Sequence, residues 1–393
     1  MSMEKYKLYV SDVSYYSGKL EAYLRYKEIP HERIEINMRI MREQILPATG
    51  FMKVPVMQCA DGRWLKDTTP MMQWLDRQHP QYPIYPDDPA TRFIALLVED
   101  YADEWMWRPA MYYRWQFADS HRLLRARLGR ELAADTAYPQ SLIGWYMRWR
   151  QYLVFVRGDG VRAHNELAVQ EVYRRTLRQL GALLESRRFL LGDRPSIVDF
   201  GFFASMFRHF ALDPYPAKIM VDTAPAVWAW VTRVWNARGS HDGAGALDDF
   251  SSPRWDELFV NVGDEYLPYL DCNADAWARK KRKFDLRLRD AVYPSMPVVR
   301  YRVACRSQLL KAYASLDVHD KATVQSRLQN SGVARWLESA RVVESGLNHE
   351  FELPLAHRYP EARGLYGLRM LRGTPWDLPS PPITKDDENH SIR

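Results

Sequence analysis

Lys53-Val54-Pro55-Val56-Met57-Gln58-Cys59-Ala60-Asp61-Gly62-Arg63-Trp64-Leu65-Lys66-Asp67-Thr68 is the stretch on which the fold of this chain turns. Asp61-Gly62 between two short apolar runs is a hairpin signal, because a tight turn between strands needs residues that tolerate positive φ. Pro55 stands at the entry of the first run, where its missing N–H costs no ladder hydrogen bond. Asp67-Thr68 closes the second run and caps a helix expected from Thr68 to Gln78, with Met71, Met72 and Leu75 on one side.

Upstream, Lys7-Leu8-Tyr9-Val10 has a strand period, and Leu20, Tyr23, Leu24 and Lys27 then space a helix face. Ile34-Glu35-Ile36 reads as a second strand, followed by a short helical stretch. The resulting order β-α-β-α-β-β-α within residues 1–80 predicts a small mixed sheet with helices on it. Downstream, prolines 80, 83, 86 and 89 mark a linker. Residues 90–238 read as helical throughout. Val169, Val172, Tyr173, Leu177, Leu180 and Leu184 keep helix spacing over five turns, and Ser196-Ile197-Val198-Asp199 opens another helix as a capping box. A polar, Gly-rich break at 239–253 precedes a third, mainly helical segment over 251–371, with a helix from near His319 that Gly332 is expected to end. The Pro-rich, acidic residues 372–393 are expected to be disordered. The fold class is therefore α+β in the first segment and all-helical afterwards.

The chain has 393 residues, 47% hydrophobic and 26% charged, which excludes a collagen-like fibre, a disordered polymer and a disulfide-stapled peptide. Its net charge of +6 is unevenly spread. Residues 279–306 hold ten Lys/Arg against Asp285 and Asp290, so this window alone exceeds the total and the remainder is slightly acidic. Basic residues interleaved with Trp277, Phe284, Tyr293 and Tyr301 are the composition of a nucleic-acid or anionic-membrane contact. Without an accompanying nucleic-acid motif, a solvated or internally paired face is the preferred reading. Cys59, Cys272 and Cys305 are too few and too scattered for a disulfide framework or a Cys-based zinc site, and no metal is expected. The N-terminus lacks a signal-peptide core and no long uncharged run is present, so a cytoplasmic protein without a membrane span is expected.

Three features of the first segment carry chemistry. Ser14-Tyr15-Tyr16-Ser17-Gly18-Lys19 lies between the first strand and first helix, placing hydroxyls where backbone N–H groups and the helix dipole favour an anion. A cis bond at Val54-Pro55 would turn the Val54 backbone toward an extended peptide. Thr68 at a helix start could hold a carboxylate while Asp67 takes an ammonium. Each alone also fits an ordinary cap or strand entry; the order and spacing of all three give the sharper reading.

In that order, and followed by an all-helical segment, these residues resemble the cytosolic glutathione transferase superfamily over about residues 5–238. The resemblance implies a thioredoxin-like N-terminal domain, an all-helical C-terminal domain, glutathione as co-substrate and a homodimer. It assigns Val54 and Pro55 to the cysteinyl backbone of glutathione and Asp67 with Thr68 to its γ-glutamyl end. Lys53 falls to its glycyl carboxylate, and Tyr16 and Ser17 to the same binding loop. Ser14 stands where the serine-type (theta, zeta and delta-like) classes carry the hydroxyl that activates the thiol; Tyr15, Tyr16 and Ser17 are the other hydroxyls in the loop. Asp and Thr replace the usual Glu and Ser, Tyr15 stands where proline is common, and Glu28 where a helix-ending glycine is common.

The first helix of the second segment is crowded with aromatics. By resemblance Tyr101, Trp105 and Tyr112, with Tyr15, line a pocket for a hydrophobic or aromatic electrophile, for conjugation, ether cleavage or dehalogenation. The same helix is implied at the dimer interface, and Asp100 or Asp103 could reach the neighbouring subunit's glutathione. The alternative reading is a non-catalytic binding or assembly module that uses the basic C-terminal extension to contact a partner, nucleic acid or anionic membrane.

Overall fold

A computed structural model of the chain describes residues 5–347 and 352–355. The expected tail at 372–393 and the end of the third segment lie outside the described residues. The first elements are β1 (Tyr6–Val10), α1 (Tyr15–Tyr26), β2 (His31–Glu35), α2 (38–49), β3 (Val56–Gln58), β4 (Trp64–Lys66) and α3 (Thr68–Gln78). The sheet order is β2-β1-β3-β4, with β1 parallel to β2 and antiparallel to β3, and β3 antiparallel to β4. Leu8, Tyr9 and Val10 are all buried, as are Trp64, Leu65 and Lys66, because both faces of the sheet are covered. On one face Tyr9 stacks on Trp64 and its hydroxyl donates to Gln44 of α2 at 3.1 Å, which holds it in the core.

The helical region contains α4 (Pro89–Glu104), α5 (Trp107–Gln116), α6 (Ala118–Leu132), α7 (140–157), α8 (Glu166–Leu184), α9 (197–211), α10 (Pro214–Thr223) and α11 (Pro225–Asn236). The helix is interrupted at 105–106, the two residues before the Trp107 that opens α5, so Pro109 falls in the first turn of that helix. The apolar stripe of α8 is buried at every residue from Val169 to Leu184 that carries it. The capping box at α9 forms in full. Asp199 accepts from Ser196 N and Oγ with one oxygen, and from Leu190 N and Trp230 Nε1 with the other.

The third segment is helical with one departure. It runs α12 (256–278), a hairpin of β5 (Lys283–Arg287) and β6 (Val292–Pro297), then α13 (Arg300–Ala314), α14 (Val318–Leu328) and α15 (Gly332–Ser339). The hairpin falls in the basic window, where charge and Pro294 obscured the strand pattern. Gly332 opens α15 under a Ser331 cap rather than ending the helix before it, because α14 already stops at Leu328. The segment does not trail away from the body. α13 and α14 pack on α4, and beyond its first turn no residue of α4 is exposed. At the end of the described chain, the Leu355 N–H donates to the Trp64 carbonyl at 2.8 Å, closing the edge of β4.

Candidate functional site

Ser14 is the N-cap of α1, with extended backbone (φ −81°, ψ 129°). Its oxygen accepts from Ser17 N at 3.3 Å while its hydroxyl donates to the Val54 carbonyl at 3.3 Å. Two of the three sequence features thus meet directly. The Val54-Pro55 bond is cis. Ser17 is fully buried beneath the loop and its hydroxyl oxygen accepts from Ser11 N, so it supports the loop rather than facing an entering molecule.

Asp67 occupies the residue before α3 with φ +68°, a left-handed conformation, and its side chain makes no cap hydrogen bond to that helix. Burial pushes its carboxyl up to about 6, against the pull of a Tyr301 hydroxyl hydrogen bond and the nearby Lys19 and Lys53 charges. Thr68 is buried in the first turn of α3. The Lys53 ammonium lies 5.5 Å from the Phe51 ring and that of Lys66 5.0 Å from the same ring, so two cations flank one aromatic plate.

The Tyr16 hydroxyl donates to the Asp103 carbonyl at 3.1 Å and lies 3.4 Å from Glu104 Oε1, while its ring stacks with Trp107 at 6.1 Å and 11°. Tyr16, Trp107, Phe51 and Val54 are only partly buried, as is Ser14. Tyr16, Trp107 and Phe51 are thus the aromatics of the loop region and its neighbours that keep some exposed surface. The four aromatics expected to line the electrophile pocket are placed differently. Tyr15, Tyr101, Trp105 and Tyr112 are each no more than 2% exposed. Tyr15 donates to the Ala102 carbonyl at 2.9 Å, Trp105 Nε1 donates to Glu265, and Tyr112 donates to Glu166. Tyr15, Tyr101 and Trp105 fill the junction between α1, α4 and the third segment and Tyr112 packs between α5 and α8, which is why they present no surface to a ligand.

Beneath the loop lies a polar cluster that sequence reasoning did not assemble. Lys19, with no exposed side-chain surface, pairs with Glu99 at 2.5 Å and with Asp103. Those two carboxylates hold it charged against the cost of burial. Arg302 of α13 pairs with Glu104 at 2.7 Å, both fully packed, and reaches the Tyr269 hydroxyl. Asp100 accepts from the Tyr266 hydroxyl at 2.5 Å, and burial raises its carboxyl to about 8. Burial also raises Asp103 well above the usual carboxylate range. Asp100 and Asp103 therefore belong to an intramolecular network, with Tyr266 in the place held open for a neighbouring subunit. Lys66, Glu104, Tyr301 and Arg302 are the site-side residues missed. The last two come from the basic window, and a charge count carries no information on which of its members turn inward.

A surface recess of about 590 Å³ is lined by residues of 250–256 and 319–330, including Phe250, Asp256 and His319. None of them belongs to the cluster around Ser14. Among the described residues no group of His, Cys, Asp and Glu is arranged to hold a metal ion.

Residues 8–83 match the family described as glutathione S-transferase, N-terminal domain, and residues 141–233 that described as glutathione S-transferase, C-terminal domain. No curated protein matches the chain. Among solved structures it is similar to a glutathione S-transferase from Rhodospirillum rubrum F11, at 18% identity over 65% of this chain and 91% of that one, with a TM-score of 0.40. It is also similar to the beta-etherase LigF from Sphingobium sp. strain SYK-6, at 15% identity over 65% and 98% of the two chains, with a TM-score of 0.41. FzlA from C. crescentus is similar at 16% identity over 65% and 92%, with a TM-score of 0.40. The scores of these structures lend no weight to a choice among activities. The first matched segment coincides with the β2-β1-β3-β4 sheet and its helices and the second with part of the helical region after it, so these two segments are similar to the N-terminal and C-terminal domains of glutathione S-transferases.

Proposed function

We propose that this chain is a serine-type glutathione transferase that holds glutathione as its thiolate for attack on a hydrophobic or aromatic electrophile. In this reading residues 1–80 bind glutathione, 90–238 form the helical domain, and the extension from 251 covers the site. The observation that carries it is the position of the Ser14 hydroxyl, at the N-cap of α1 and 3.3 Å from the Val54 carbonyl. A free thiol has a pKa of about 8.5, so only a few per cent is thiolate at pH 7. An O–H donor and a helix N-terminus both favour the anion over the thiol. Ser14 has one proton to give. Without ligand it points at Val54 O; with a thiolate at the helix N-terminus it turns to the sulfur, while Ser17 N–H keeps the oxygen oriented. The thiol proton leaves to water, the sulfur lone pair forms the new C–S bond, and a displaced group departs with its bonding electrons.

Asp67 is assigned the ligand ammonium, Lys53 and Lys66 the glycyl carboxylate, and the Val54 backbone the central peptide. Tyr16 and Trp107 are the aromatic surfaces available to the electrophile, since the four buried aromatics are not. Calorimetry with glutathione tests the reading. Wild type and Ser14→Ala should both bind, while turnover of an aromatic electrophile falls about 10²–10³-fold in the variant. Absence of binding by wild type would overturn it. That outcome favours the non-catalytic reading, which rests on the Tyr301 hydroxyl already bonded to Asp67. The resemblance places a homodimer contact on α4; with that helix covered, a dimer of this chain pairs through another face.

A further inference from the structure

The α6–α7 hairpin is turned inside out. On α7, Leu142, Trp145, Tyr146, Trp149 and Leu153 follow the 3-to-4 spacing of one helix face, and at 100° per residue they fall within about a 100° stripe. Such a stripe ordinarily faces the core. Here Leu142 is 60% exposed, Trp145 50%, Tyr146 42%, Trp149 60% and Leu153 40%, and Tyr138 in the preceding turn is 68% exposed. The opposite side of the helix carries Gly144, which packs so closely on α6 that a Cβ there would stand 2.3 Å from the Arg125 carbonyl oxygen. Gly129 on α6 is equally tight against Gln140. The helix is held by its small residues and shows its large apolar ones to solvent.

Charge identifies the occupant. Residues 122–157 hold seven arginines (122, 125, 127, 130, 148, 150 and 157) against Glu131 and Asp135. Arg122 and Arg130 are exposed, and the Arg125 guanidinium lies 4.0 Å from the centre of the Trp145 ring, with Arg148 at 5.6 Å. A two-fold pairing of copies through this face would bring Arg125 and Arg148 beside Trp145, and the exposed Arg122 and Arg130, near the same arginines of the other copy, so self-association is electrostatically opposed. Aromatic and aliphatic side chains standing out of a helix, flanked by arginines, fit the interfacial zone of a bilayer that carries anionic headgroups. The stripe is about 17 Å long at 1.5 Å per residue. No described helix is long and apolar enough to cross a membrane, so this contact lies on the surface of the bilayer.

We propose that the exposed face of α7, with the arginines of α6 and α7, docks this protein on anionic lipid bilayers. The arginines draw the hairpin to the headgroups, and Leu142, Trp145, Tyr146, Trp149 and Leu153 enter the interface. The site is separate from the Ser14 loop and independent of glutathione binding.

The test uses full-length protein and vesicles of phosphatidylcholine alone or mixed with phosphatidylglycerol. Sedimentation with the mixed vesicles, a blue shift of tryptophan emission, and weakening by added salt are expected. The double variant Trp145→Ser, Trp149→Ser should lose about tenfold or more in vesicle affinity. Because both side chains are at least half exposed, its thermal midpoint should stay within a few degrees of wild type. No sedimentation of wild type with the mixed vesicles would overturn the proposal, as would sedimentation that the double variant leaves unchanged. A wild-type dimer that the double variant converts to monomer would also overturn it, by assigning the stripe to a second copy.

Discussion

Glu28 and Asp67 both take a left-handed backbone, φ 55° and 68°, at positions where glycine would be the unstrained choice. Each has a use for its side chain. Glu28 accepts from Ser240 N at 3.2 Å and Ser240 Oγ at 2.9 Å, tying the end of α1 to the turn after the helical domain. The absence of glycine at 28 was visible in the sequence, but its partner 212 residues away was not. Asp67 is aimed at Tyr301 and lifted by burial to about 6. An ammonium needs its carboxylate, so glutathione affinity should rise as pH climbs from 5 to 7, and Asp67→Asn should abolish that rise in calorimetric titrations. The same titration opposes the fold. An acid whose folded pKa exceeds its unfolded one stabilises the fold below the unfolded value, and that contribution is lost as pH rises through the folded value. Tyr301→Phe removes the competing donor and should tighten glutathione binding several-fold, about 1 kcal/mol for one hydrogen bond.

The capping box at α9 shows how far local sequence reasoning reaches. Ser196-x-x-Asp199 was legible because a cap depends on neighbours, and the structure adds Leu190 N and Trp230 Nε1 as donors to the same carboxylate. Asp199→Ala strands these donors and should cost about 2–4 kcal/mol in denaturant unfolding, more than an exposed cap. α4 shows where reasoning from one element stops. Its aromatics suggested a pocket, yet Tyr101 and Trp105 are core because Tyr266 and Tyr269 of α12 pack against them. A helix that carries large aromatics reads alike whether they meet a substrate, a second subunit or a later part of the same chain. Asp100, raised by burial to about 8, gives this helix a pH signature. Its stabilising contribution is complete below about pH 4 and disappears as pH passes through about 8. The thermal midpoint should therefore fall from about pH 4 to about pH 8 and level off above it, and Asp100→Asn should flatten that fall.

Over the whole molecule, the domain order and the location of the extra charge were readable, but the destination of that charge was not. Arg302 and Arg306 leave the basic window to pair with Glu104 and Asp271. Arg302→Ala would leave Glu104 buried without its cation and should cost about 3–5 kcal/mol, with Glu104→Gln restoring part of the loss in the double variant. Long-range ion pairs of this kind have no local signal, since residues 104 and 302 meet only after everything between them has folded. The bond from Leu355 N–H to the Trp64 carbonyl has a consequence in time. A ribosome adds about 5–20 residues per second, so the rim of the N-terminal sheet waits roughly 15–60 s between its own synthesis and the arrival of the residue that seals it. Through that interval the nascent sheet carries an open backbone edge, and the hazard of pairing with another chain is set by translation speed as much as by stability.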